Sequence, residues 1–191
     1  GEPRPVREAG AEVDLACLNQ GGQALACSDM FFSPMNNLVL PGAAEDMGGG
    51  WETRRSRPPG DDWIIVRLGG AGLLSQVIVD TKHFKGNFPD SVAIDAIHWP
   101  NAPLPALVSH GAWTEIVEQF ETRADSAHLK SVGLKGPWTH VRLRIYPDGG
   151  VSRLRVFGVP TEDSPTDGRL DGLNAPSESD AVEALMTCCG S

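Results

Sequence analysis

The chain has 191 residues, 40% of them hydrophobic, which is enough for one sizeable core and a small appendage. A formal net charge of -9 argues against nucleic acid or an anionic membrane surface as the main partner. No apolar run approaches the ~20 residues of a membrane span, and 22 glycines with 15 prolines fit a turn-rich, mostly β architecture.

Residues 1–12 are polar and proline-containing, and read as a leader or the end of an upstream linker without the apolar core of a signal peptide. Cys17 and Cys27 are ten residues apart and Cys188 and Cys189 are adjacent. Neither spacing suggests a disulfide framework or a zinc site, so a reduced, cytoplasmic protein is expected. Leu25, Ala26 and Cys27 resemble a short strand. The glycine-dense residues 47–50 lack the lysine and Ser/Thr of a phosphate-cradling loop. A charged stretch from Trp51 to Arg57 follows, with Trp51 and Trp63 expected in the core. Pro58-Pro59-Gly60-Asp61 is a turn, and residues 63–68 form an almost continuously apolar strand. Gly69-Gly70 turns the chain into a second run over residues 73–80.

Between the apolar residues Val77, Ile78 and Val79 and the later run Val92, Ala93 and Ile94 lies Asp80-Thr81-Lys82-His83-Phe84-Lys85-Gly86-Asn87-Phe88-Pro89-Asp90. A polar loop of this kind on a rigid scaffold is where binding and catalytic groups tend to sit. Pro103 and Pro105 mark an irregular or edge segment. Residues 113–120 fit either a strand or a helical turn, and residues 131–136 read as a loop.

Residues 138–146 and 151–157 flank Pro147-Asp148-Gly149-Gly150, a hairpin signal. Pairing Tyr146 with Val151 sets Leu143 opposite Leu154 and Val141 opposite Val156, giving an apolar face. The other face then sets Arg142 against Arg155 and Arg144 against Arg153. Like charges across a ladder are destabilising, so either acidic groups such as Glu52, Asp80 or Asp90 reach over them or the face receives an anionic ligand. Short strands with glycine and proline turns imply an all-β antiparallel sandwich or barrel. Residues 161–172 form a flexible linker, and the helical spacing of Val182, Leu185 and Met186 predicts a short C-terminal helix.

Three blocks carry a family resemblance. Gly48-Gly49-Gly50-Trp51-Glu52-Thr53-Arg54-Arg55 with Asp61-Asp62-Trp63, the loop from Asp80 to Asp90, and residues 136–158 around Tyr146-Pro147-Asp148-Gly149-Gly150 resemble the allantoicase family, in its order and across residues 13–160. The resemblance implies a jelly-roll sandwich like that of galactose-binding and discoidin domains, and hydrolysis of allantoate to ureidoglycolate and urea in purine catabolism. It also implies pairing, because such chains usually carry two repeats and this one looks like the second; a homo-oligomer is the other arrangement expected. Residues 173–191 resemble the opening of an OHCU decarboxylase domain and carry no activity of their own. The rival reading is a non-catalytic ligand-binding or oligomerisation module of the same fold.

Allantoate presents a carboxylate and two ureido groups on one carbon. Its site needs a cation for the carboxylate, acceptors for the ureido N–H groups, a base for water and a proton donor for the leaving nitrogen. The candidates are His83, Glu52 and Asp90 as acid and base, Arg54, Arg55, Lys85 and Arg142 as cations, and Asn87 for amide recognition. His83, His98, His110, His128 and His140 are scattered without an HxH or HExxH spacing. No metal ligands or cofactor are therefore assigned, although a divalent ion activating water stays open.

Overall fold

In the computed structural model, which describes residues 10–56, 58–109 and 112–161, two long strands carry the architecture. β4 (Asp62–Asp80) and β7 (Ala127–Tyr146) pair antiparallel over most of their length. Both contain glycines in the middle, and there the ladder loses register, between Arg67, Gly72, Leu74 and Gln76. Left-handed φ angles at Gly133 (79°) and Gly136 (139°) turn β7 at the same level. Glycines that suggested a turn at 69–70 and a loop at 131–136 thus bend two strands without ending them.

The two halves of these strands serve different layers. Residues 62–67 pair with β2 (Gln23–Cys27) and with residues 140–145 of β7, which continues to β5 (Ser91–Ile97) and the edge strand β6 (Thr114–Glu121). Residues 72–80 pair instead with the first part of β7 and with β9 (Arg153–Pro160), beyond which lies β1 (Val13–Asp14). The expected antiparallel sandwich forms. Ile64, Val66, Val77, Val79, Leu143, Ile145, Leu154 and Val156 are fully buried in one cluster drawn from both layers. Burial of such side chains stabilises by about 1.5–3 kcal/mol each.

The Pro147 turn does not make the predicted hairpin. β7 and β9 never pair with each other; β4 lies between them where they share a layer. Val141, Leu143, Leu154 and Val156 do all face inward as expected, but they meet through the core and not along a ladder. The arginine rows are separated accordingly. Arg142 and Arg144 are answered by Asp95 of β5 and Glu115 of β6. Arg153 donates to the carbonyls of Asn37, Gly42 and Gly49, and Arg155 pairs with Asp14. The like-charge ladder expected from the sequence is therefore not formed; neither Glu52 nor Asp90 makes an ion pair with these arginines, whereas Asp80 lies opposite Arg153 in the β4–β9 ladder.

A second cluster of Ile65, Ile97 and Leu107 with Trp63, Trp99 and Trp113 brings together residues of β2, β4 and β5 and the short helix α1 (Leu104–Ser109). Pro105 falls in the first turn of that helix, where its missing N–H has no partner to lose. Residues 114–121, ambiguous in the sequence, are strand β6. The remaining sequence around Leu38 and Val39 is a buried 3-10 turn, Met35–Val39. The predicted linker beyond Thr161, the C-terminal helix and most of the leader lie outside the described residues. Among the described residues no helix is long and apolar enough to cross a membrane.

Because both long strands double back, Asp62 pairs with Ile145 and Ser91 with Tyr146 in one layer, while Asp80 pairs with Ala127 and Arg153 in the other. The connections around residues 28–33, 52–56, 58–61, 81–90, 122–126 and 147–152 therefore gather at one end of the sandwich. That end holds most of the candidate residues.

Candidate active site

β3 (Trp51–Glu52) pairs with β8 (Gly150–Val151) in a small two-stranded sheet at this end. Trp51 is fully buried and its indole N–H donates to the Asp29 carbonyl at 2.9 Å. Burial alternates from Trp51 to Arg54, so Glu52 and Arg54 project to the open side. Two residues along an extended chain span roughly 7 Å, within reach of one small ligand. The Glu52 carboxylate accepts a hydrogen bond from the Asn87 amide. Asp29 receives the backbone N–H of Arg54 at 2.5 Å, and the Arg54 guanidinium sits 4.5 Å from the centroid of the Phe31 ring.

The loop from Asp80 to Asp90 is anchored at several points. Thr81, fully buried, donates to the Arg123 carbonyl at 2.6 Å and accepts the Ser126 N–H at 3.1 Å. Phe84 is fully buried against Gly50 and Gly150; a Cβ on Gly150 would lie only 1.9 Å from its ring. The Gly150 N–H then donates to the Asn87 carbonyl at 2.8 Å, which fixes Asn87 beside Glu52. His83 adopts a left-handed φ of 70°, uncommon for a residue other than glycine. Its N–H donates to Asp125 at 2.7 Å and its ring Nε2 meets the Ala44 carbonyl at 2.8 Å. A carbonyl only accepts, so Nε2 carries the proton and Nδ1 is the basic nitrogen of the neutral ring.

The structure brings Glu52 and Asn87 into contact, with Arg54 two residues beyond Glu52, past the end of β3, and His83 on the same loop as Asn87. Arg55 and Lys85 are exposed at this end and make no ion pair among the described residues. Asp90 is exposed on a cleft of about 480 Å³ that it shares with Pro58, Pro59, Asp61 and Tyr146. Arg142 is not at the loop end. It holds Asp95 with two hydrogen bonds of 2.7 and 2.9 Å and lies 4.8 Å from the Trp113 ring centroid. Asp95, nearly fully buried, also takes Arg144. Asp95→Asn is accordingly expected to cost about 3 kcal/mol in urea unfolding, because it leaves the half-buried Arg142 without its charge partner and Arg144 with Glu115 alone.

The other described histidines are structural or remote. Burial first, and then the charge of Arg67, push the His140 imidazolium down to about 4, so the ring is neutral near pH 7. The buried His128 ring is held between the Arg123 N–H and the Val79 carbonyl. Among the described residues no three metal-ligating side chains converge. Asp29, Phe31 and Asp125 were not singled out from the sequence. They act across gaps of 23 to 42 residues, and no local pattern marks them.

The family model for the allantoicase repeat matches residues 13–161. The chain is 49% identical over 149 residues to the allantoicase of Neurospora crassa, covering 77% of this chain and 42% of that protein. It is 47% identical over 154 residues to a probable allantoicase of Photobacterium profundum, covering 79% and 47%. The chain thus spans less than half the length of these curated relatives. The crystal structure of Saccharomyces cerevisiae allantoicase matches with a TM-score of 0.68 at 38% identity, over 77% of this chain and 43% of that one. A family 32 carbohydrate-binding module from C. perfringens, solved with galactose, shares the fold at a TM-score of 0.52 and 14% identity, covering 77% and 99%.

Proposed function

The chain belongs to the allantoicase family, and we propose that its loop end hydrolyses allantoate to ureidoglycolate and urea. The observation that carries this reading is the contact of Glu52 with Asn87 beside Arg54, a cation with no ion pair among the described residues. In the reaction a C–N bond at the central carbon breaks and a C–O bond from water forms. Water gives up one proton and the departing urea nitrogen gains one. Glu52 takes the proton from water. His83, protonated at Nδ1 as well as Nε2 for this step, delivers the Nδ1 proton to the leaving nitrogen, and the proton held by Glu52 then replaces it. Asn87 donates its amide N–H to Glu52, which leaves its side-chain carbonyl to accept a ureido N–H. Arg54, with Arg55 and Lys85 near it, receives the carboxylate.

The reading includes pairing with a second repeat or another copy, supported by the relatives being more than twice the matched length. It also includes a cytoplasmic setting, supported by the lack of a disulfide spacing in the sequence. The deciding experiment is to incubate the purified chain with allantoate and follow both products. Urea and ureidoglycolate should appear in equal amounts. Saturable calorimetric binding without product would identify a ligand-holding module instead, and neither signal would remove the reading.

A further inference from the structure

Phe31 and Phe32 are 60% and 61% exposed, yet their loop is rigidly held. One Asp29 carboxylate oxygen accepts both the Phe31 N–H, at 3.1 Å, and the Arg54 N–H, at 2.5 Å. The Phe32 and Ser33 N–H groups donate to the Glu52 carbonyl. The two rings meet edge to face at 4.9 Å and 88°. Fixing two large apolar rings in water contributes nothing to the core, and exposed apolar groups of this kind mark binding surfaces. Over one of them lies the Arg54 guanidinium.

Four of the described arginines elsewhere are already engaged. Arg142 and Arg144 hold Asp95, Arg155 holds Asp14, and Arg153 is saturated by backbone carbonyls. Arg54 is held by a ring and by no anion among the described residues. A guanidinium over an aromatic face keeps the N–H donors at its edge available, and holding it there removes rotamer freedom that anion capture would otherwise have to remove.

We propose that Phe31 is a positioning residue that presents Arg54 to the carboxylate of a ureido acid, and so selects anionic over neutral ureides. This rests on the proposed allantoate site and names the group that orients its anion anchor. Glu52 and Arg54 share the open side of one extended segment, so a carboxylate on Arg54 leaves the adjacent central carbon of the same molecule facing Glu52.

The test compares Phe31→Ala, Phe31→Trp and Phe32→Ala. Phe31→Ala should raise KM for allantoate by about two- to fivefold, the scale of an exposed cation–π contact, with kcat nearly unchanged. Phe31→Trp should restore KM, because the better π face still seats the cation, and Phe32→Ala should leave KM alone. An unchanged KM in Phe31→Ala, or Phe31→Trp as impaired as Phe31→Ala, overturns the proposal. A second readout does not need turnover: the Arg54 Nε–H resonance titrated with hydantoate, the simplest ureido acid. A shift in the parent that weakens in Phe31→Ala supports the anchor even if allantoate is not hydrolysed, in which case only the activity assignment falls. An Arg54 resonance that hydantoate leaves unmoved overturns the anchor itself.

Discussion

Glu52→Gln is expected to lower kcat for allantoate by about 10²–10⁴ while leaving the fold intact, the range typical of losing a general base. Glutamine keeps an oxygen that can accept the Asn87 N–H, so the contact and the half-buried packing survive. Only the ability to take a proton from water disappears. For His83 the choice of substitution matters. Alanine at φ 70° would add backbone strain, whereas asparagine tolerates left-handed geometry and keeps the N–H to Asp125. His83→Asn should therefore cost a similar factor in kcat with little change in unfolding midpoint. Steady-state kinetics beside denaturant titration separate these effects. A kcat within a few-fold of the parent in Glu52→Gln removes Glu52 as the base, and the same result in His83→Asn removes His83 as the proton carrier.

Alternating burial in residues 141–145 and 154–156 was legible in the sequence, because a period of two needs no knowledge of partners, and so was the nearly continuous apolar run of residues 63–68. So was the loop from Asp80 to Asp90, since apolar runs bound it on both sides. What failed was the partner of each strand. The Pro147 turn carries local hairpin chemistry, but pairing was decided by Asp95, 47 residues before Arg142, and by β4, which the sequence divided at Gly69-Gly70. A glycine pair permits a bend or a turn equally, and only the continuous ladder to β7 chooses between them. The same limit hid half of the candidate site. Glu52, Arg54, His83 and Asn87 lie in recognisable blocks, whereas Asp29, Phe31 and Asp125 matter through contacts made at a distance. Arg142, which sits in an equally recognisable block, serves Asp95.

The joint between loop and sheet gives the second large effect. Phe84→Ala should lower stability by about 3–5 kcal/mol, since it empties a fully buried aromatic site. Gly150→Ala attacks the same contact from the other side. No left-handed φ stands in the way of a side chain at Gly150, so the obstacle is the Phe84 ring, 1.9 Å from where the methyl would sit. Overpacking of this kind costs about 1–3 kcal/mol, and the ring can yield only by lifting the loop that carries His83 and Asn87. Gly150→Ala is therefore expected to lose most turnover as well as stability. Two single losses could arise independently, so the decisive variant is the double one. Phe84→Leu with Gly150→Ala should be more stable than the sum of the singles predicts, because the smaller side chain makes room for the methyl. Strict additivity in denaturant unfolding, or a Gly150→Ala chain within about 0.5 kcal/mol of the parent, would mean that Phe84 does not seat the loop on the β3–β8 sheet. Recovered stability without recovered turnover would instead locate the remaining fault in the alignment of Asn87 with Glu52, which depends on the Gly150 N–H to the Asn87 carbonyl.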